Sequence, residues 1–205
     1  MSGSSAFESW TNSDLIELID QHPLAWVVSG QEGFAATPLP MLLECDAEGR
    51  PVTLLGHFSR ANPQVECIRA EPRTLFLFSG PSGYISPELL TTTRDWAPTW
   101  NYAVARIVAD VEFIEELADE ALASLVGKME AGRARPWSPN EMGARYHQLK
   151  RHIIAFRARI QSVEARFKLG QDERPEVLGD IVTGLGKSNL AQWMRRFNLR
   201  LGIGD

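Results

Sequence analysis

Only two cysteines, Cys45 and Cys67, occur in 205 residues, too few for a disulfide framework. No cysteine or histidine pair stands beside them at metal-ligand spacing, so both are expected to be free, partly buried thiols and no metal site is indicated. Long apolar runs are missing too. The stretches LAWVVSG and TLFLFSG fall far short of the roughly 20 residues that cross a bilayer, which excludes a transmembrane helix and any membrane partner of that kind. The opening MSGSSAFESW has neither a basic start nor an apolar signal core, and a cytoplasmic protein is expected. Positive charge is scarce as well: a net charge of -5 argues against a chain that grips nucleic acid mainly by neutralising phosphates.

Signatures of self-sufficient catalysis are equally absent. No Ser-His-Asp or Cys-His arrangement has local support, and no clustered carboxylates suggest a hydrolase. GLGKS, residues 184–188, resembles the tail of a phosphate-binding loop, but the first glycine of that motif would fall at Ile181 and no strand leads into it. No third glycine completes a dinucleotide fingerprint. His147 and His152 are five apart, the wrong spacing for two ligands on one helix face. Any redox chemistry must therefore belong to a cofactor.

What is present is a run of short strand patterns. With 44% hydrophobic residues the chain can fill one full-sized core. Residues 12–22 read as a helix opened by Asn12 and Ser13 and stopped at Pro23. LAWVVSG then reads as a buried strand, and FAATPLPMLLE as a strand whose Pro38 and Pro40 must lie at an edge or a bulge. VTLLG and RTLFLFSG are further strands. GPSGYISPELLTTTRDWAPTWN reads as a long loop, and loops of that length are usually functional. In YAVARIVADVEFIE, Ala105, Ile107, Ala109, Val111 and Phe113 alternate with polar residues, predicting a half-buried strand. Leu117, Ala121, Leu125 and Met129 predict an amphipathic helix. In AFRARIQSVEARFKLG the apolar phase is even at Phe156, Ala158 and Ile160 but odd at Val163, Ala165 and Phe167, the mark of a bulge. The sum is a mostly β (α+β) chain: six or more antiparallel strands in a small barrel with peripheral helices over residues 1–170, then an extension over 171–205. That extension holds NLAQWMRRFNLRLG, a basic amphipathic helix with Arg195, Arg196 and Arg200; docking on the body or a partner subunit is favoured over contact with DNA or a membrane surface.

Three places could hold chemistry. LLGHFSRANPQ runs from a strand into a helix start, with Asn62 as cap, Pro63 in the first turn and Ser59 and Arg60 just before. The N–H groups of Gln64 and Val65 could then bind an anion, unless Asn62 itself satisfies them. APTWNYA places Asn101 between Trp100 and Tyr102, either a wall that reads a heterocycle or ordinary packing. KLGQDE ends a strand with Lys168 and Gln171 exposed.

LLGHFSRANPQ, GPSGYISP, APTWNYA and FKLGQDE, in this order and at these separations, resemble the PaiB family over residues 7–173. Those proteins are described as FMN-binding negative transcriptional regulators with the split-barrel fold shared with pyridoxine-phosphate oxidases and flavin reductases. The resemblance implies a homodimer with FMN between subunits. It implies phosphate held by Ser59, Arg60 and Asn62 with His57 beside them, the flavin ring along backbone groups of Thr37, Leu39 and Pro40, and further walls from Trp100, Asn101, Tyr102, Lys168 and Gln171. No residue is indicated as a catalytic acid or base. A nicotinamide donor would make the chain at most a weak flavin-dependent oxidoreductase. The competing expectation is a non-enzymatic transcriptional regulator, with DNA as a partner, or an interaction protein, on the same split-barrel fold, that has weakened or lost FMN. It rests on departures from the family's pattern: Ser82 and Gly83 where histidine and alanine are common, Leu89 and Leu90 for an aromatic pair, and Gly170 and Asp172 for serine and asparagine.

Overall fold

The computed structural model describes residues 6–30, 33–91 and 95–203. Seven strands are ordered β2-β1-β5-β6-β7-β4-β3: β1 (Leu24–Ser29), β2 (Ala35–Pro40), β3 (Leu42–Cys45), β4 (Pro51–Ser59), β5 (Arg73–Ile85), β6 (Thr99–Ile114) and β7 (Ile153–Lys168). The pairings of β1 with β2 and β5, and of β4 with β3 and β7, are antiparallel. The helices among the described residues are α1 (Asn12–Gln21), α2 (Gln64–Ala70), α3 (Ala118–Glu130), α4 (Ala144–Lys150), α5 (Pro175–Gly184) and α6 (Asn189–Arg200). The mostly β fold with peripheral helices is borne out. No helix among these residues is long and apolar enough to cross a membrane.

Several boundaries move for physical reasons. FAATPLPMLLE is two strands: Met41 sits between them, buried, with its N–H on the Pro23 carbonyl at 2.9 Å. β2 is an edge strand, as its prolines require. Residues 80–85 continue β5 and are not loop. The cap of α1 is Thr11, which precedes the expected Asn12. The Thr11 N–H and hydroxyl donate to Asp14 at 2.7 and 2.8 Å, closing the first turn. Cys45 and Cys67 are free, as expected, but exposed.

The chain forms two compact units, one of residues 16–78 and 106–164, the other of 1–15, 79–105 and 165–205. In the first, Phe58, Phe113 and Phe156 meet with ring centroids 5.4 to 6.1 Å apart, and Leu117, Ala118 and Ala121 cover Leu55 and Ala155. In the second, Phe167 stacks on Trp193 at 6.1 Å and on Phe197 at 5.5 Å, so α6 docks its apolar face on β7. In β5 and β7 the buried face changes along the strand. β7 buries Ile154, Phe156 and Ala158 together with Ala155, then Ala165 and Phe167; β5 buries Thr74, Phe76 and Phe78, then Pro81 and Ile85. β6 also runs from one unit into the other, and it buries odd residues throughout, from Asn101 to Val111.

Candidate functional site

In the unit of residues 16–78 and 106–164, the junction between β4 and α2 is built around a residue the motif reading passes over. Gln64 is 1% exposed. Its side-chain carbonyl accepts from the Thr37 hydroxyl at 2.6 Å. Its amide nitrogen faces the Val27 carbonyl, Ser29 Oγ and the Ala35 carbonyl at 2.9, 3.0 and 3.2 Å. Asn62 closes a ring with it: Asn62 Nδ2 donates to Thr37 Oγ1 at 2.9 Å, and Asn62 Oδ1 accepts from the Gln64 N–H at 2.9 Å. The Val65 N–H donates to the Asn62 carbonyl at 3.1 Å. Both N–H groups expected to face an anion are thus taken internally, and α2 spans seven residues. An anion at this junction would have to be held by side chains. The sequence does carry a signal for Gln64: it stands four residues before Ile68, a polar residue on an apolar helix face.

Ser59 and Arg60 lie exposed at the end of β4. Ser59 Oγ accepts weakly from the Ala61 N–H at 3.4 Å, leaving its hydroxyl proton available. Arg60 donates its backbone N–H to the His152 carbonyl at 2.8 Å and grips Glu115 with both terminal nitrogens, Nη1 to Oε1 at 2.9 Å. Glu115 holds the guanidinium firmly protonated, and its own carboxyl is held below the usual range by that hydrogen bond and by the charges of Arg60 and Arg69. Nothing in the sequence links Glu115 to Arg60, 55 residues away. His57 is half-buried in β4 opposite Ala155, and burial pushes its imidazole pKa down, so it is neutral at pH 7.

On β2 the register decides which backbone groups are open. Met41 and Pro23 continue the pairing of β2 with β1, so Leu39 and Thr37 also turn their backbone groups toward β1. The carbonyls of Pro38 and Pro40 turn the other way. Of the three residues expected along the ring, Pro40 therefore has its carbonyl on the outer side, while Thr37 works through its hydroxyl.

The remaining candidates belong to the other unit. Trp100 is 53% exposed and lies 6.1 Å from the exposed Tyr84 ring, with Tyr102 half-buried. Asn101 is buried, with Nδ2 on Met194 Sδ at 3.7 Å. Lys168 donates to Thr99 Oγ1, and its ammonium lies 5.8 Å from the Phe7 ring centroid. Gln171 closes the end of β7: its Oε1 accepts from the Leu169 N–H at 2.7 Å, and its Nε2 donates to the Phe167 carbonyl and to the Ala6 carbonyl at 3.3 Å. Lys168 and Gln171, expected as exposed groups, are thus half-buried and partnered.

Three of the residues that depart from the family's pattern, Gly83, Leu89 and Gly170, help to seat α5 and α6. A Cβ on Gly170 would lie 2.9 Å from Leu178 Cδ1 and 3.1 Å from Met194 Cε, and its φ of +86° disfavours any other residue. A Cβ on Gly83 would lie 3.0 Å from Leu190, and Leu89 packs on Gly184, where a Cβ would come within 2.8 Å of it. Thr91 donates its N–H and hydroxyl to Asp180 at 2.6 and 2.7 Å. The basic face of α6 is largely spoken for: Arg195 donates to the Val182 and Gly186 carbonyls, and Arg200 pairs with Asp14 at 2.9 Å.

Residues 1–162 match the family described as "Putative FMN-binding domain", and the chain belongs to that family. A curated relative, an uncharacterized protein of Aspergillus fumigatus, is 24% identical over 160 residues. The match takes in 60% of this chain and 61% of that protein's length. Among solved structures, the chain is similar to a FAD and heme binding protein from Mycobacterium smegmatis, with a TM-score of 0.56 at 16% identity, covering 78% of this chain and 72% of that one. It is also similar to a flavocytochrome from Azotobacter vinelandii, with a TM-score of 0.52 at 16% identity over 80% and 74% of the two chains. These likenesses establish the split-barrel fold.

The donor set at the end of β4 suits a flavin phosphate. Ser59 has a hydroxyl proton to give, and Arg60, with five N–H groups, has donors beyond those on Glu115. Outward carbonyls on β2 suit a heterocycle that carries a ring N–H. FMN therefore fits the groups present, with the Glu115 carboxylate as the one discordant neighbour.

Proposed function

We propose that this chain is a PaiB-type flavin protein that binds FMN, with Ser59 and Arg60 on the phosphate and the outer edge of β2, at Pro40, along the ring. The observation that carries the reading is the exposed Ser59-Arg60 pair at the strand end in a chain of the FMN-binding domain family. Asn62, Thr37 and Gln64 hold that end in place from behind; they position Arg60 and do not themselves need to touch the phosphate. The bound flavin would supply hydride and electron transfer, with a reduced nicotinamide as donor in a cytoplasmic setting. Arg60 and Ser59 bind and orient, and His57, neutral and half-buried in β4, adds no charge at neutral pH. No acid or base is required of the protein.

Purified protein should take up FMN, giving flavin absorbance that bleaches on addition of NADH or NADPH. Arg60→Ala should weaken FMN by about ten-fold or more, the size of one charge-assisted phosphate contact. Protein that neither quenches FMN fluorescence nor gains colour removes this reading and leaves the non-enzymatic regulator. DNA repression draws little support from α6, whose Arg195 and Arg200 are engaged within their own unit.

A homodimer completes the proposal. The outward face of β1, β2 and β5 is apolar in rows set by the register: Pro38, Trp26 and Leu77 in one, Ala36, Val28 and Leu75 in the next, with Pro40 and Leu24 beyond. Trp26 and Leu24 are 50% and 59% exposed. Soluble monomers rarely leave such a contiguous face uncovered, and a second copy offers the same face in return.

A further inference from the structure

Resting on the flavin reading, we propose that Glu115 is a built-in competitor for the cofactor phosphate: its carboxylate occupies the anion position that Arg60 offers and weakens phosphate binding. The two oxygens of Glu115 take one N–H from each terminal nitrogen of Arg60, the bidentate pattern that a phosphate would itself adopt. Arg69 contributes a second positive charge acting on Glu115, while its guanidinium lies 5.4 Å from the centroid of the Phe113 ring and 3.5 Å from Glu66. The pair is exposed, with 38% of the Arg60 and 56% of the Glu115 side chain open to solvent, so an incoming phosphate can reach it without rearranging a core.

Two roles for Glu115 give effects of opposite sign. If it merely orients Arg60 for the cofactor, removing its charge loosens FMN. If it competes, removing the charge tightens FMN, because a carboxylate close to a phosphate dianion repels it even in a watery site. Acid does not substitute for mutation here. The Arg60 hydrogen bond and the nearby Arg69 hold the Glu115 carboxyl below its ordinary range, so it stays charged through mildly acidic pH.

The test is titration of FMN and of riboflavin, which has the same ring without phosphate, into the wild-type protein and Glu115→Gln, read by flavin fluorescence. The expected result is FMN bound three- to thirty-fold tighter by E115Q with riboflavin unchanged. FMN bound equally or more weakly by E115Q, in a wild type that binds FMN, overturns the competitor role and leaves the flavin reading standing. If neither protein binds either flavin, that reading fails and inorganic phosphate decides the anion site. Phosphate that raises the melting temperature of E115Q more than that of the wild type, an effect abolished in Arg60→Ala, supports the competitor role. Equal shifts overturn it.

Discussion

Replacing Gln64 by leucine would leave the Thr37 hydroxyl proton without its acceptor and would take the Gln64 amide donor away from Ser29 Oγ and from the Val27 and Ala35 carbonyls. A loss of about 1–3 kcal/mol is expected in urea unfolding of Gln64→Leu. At His57 the sign follows from burial. Its folded pKa lies below the unfolded value, so both states are neutral above about pH 6.5, and as pH falls further the unfolded chain binds a proton that the native chain resists. Stability should decline as pH falls below about 6.5, and His57→Gln should flatten that decline in denaturation series at fixed pH. The motif around Arg60 was legible as a run of residue types, since a strand, a serine, an arginine and Asn-Pro are all local signals. Its distant partners were not: Thr37 and Glu115 are brought to it by strand pairing and by the end of β6, across separations that no spacing rule covers.

At the scale of elements, the seating of α5 and α6 turns on glycines and leucines that look like losses in a flavin cleft. Gly170 has a positive φ and no room for a Cβ beside Leu178 and Met194. Gly170→Ser is expected to cost about 1–3 kcal/mol and to loosen α5 and α6. Faster amide hydrogen exchange at Leu178 and Met194 than in the wild type would show it, and unchanged exchange would refute the seating role. Periodicity found β6 and α3 because each keeps one buried face along its length. It also found the switch in β7, visible as odd and even apolar phases. It failed at residues 80–85, where β5 changes its buried face amid glycine, proline and serine, and the pattern reads as loop.

For the whole molecule, the exposed apolar rows on β1, β2 and β5 make the oligomeric state the sharpest question. The native protein should run as a dimer in sedimentation, and Trp26→Glu, which puts a charge in the middle row, should shift it to monomer with its secondary structure intact. A Trp26→Glu protein that remains dimeric places the interface elsewhere.

By itself the sequence determined the class: short strands with turn chemistry between them, no span, no disulfides, and four ordered motifs that resemble one family. These are local or pairwise-in-sequence properties, carried by period and residue type. Only the tertiary structure decided which polar groups are already satisfied. It gave the Gln64 and Val65 N–H groups to Asn62, buried the Asn101 amide against Met194, closed Gln171 over the end of β7 and set Glu115 on Arg60. A hydrogen-bond donor has a fixed capacity, and whether it is free for a ligand depends on neighbours that are distant in sequence.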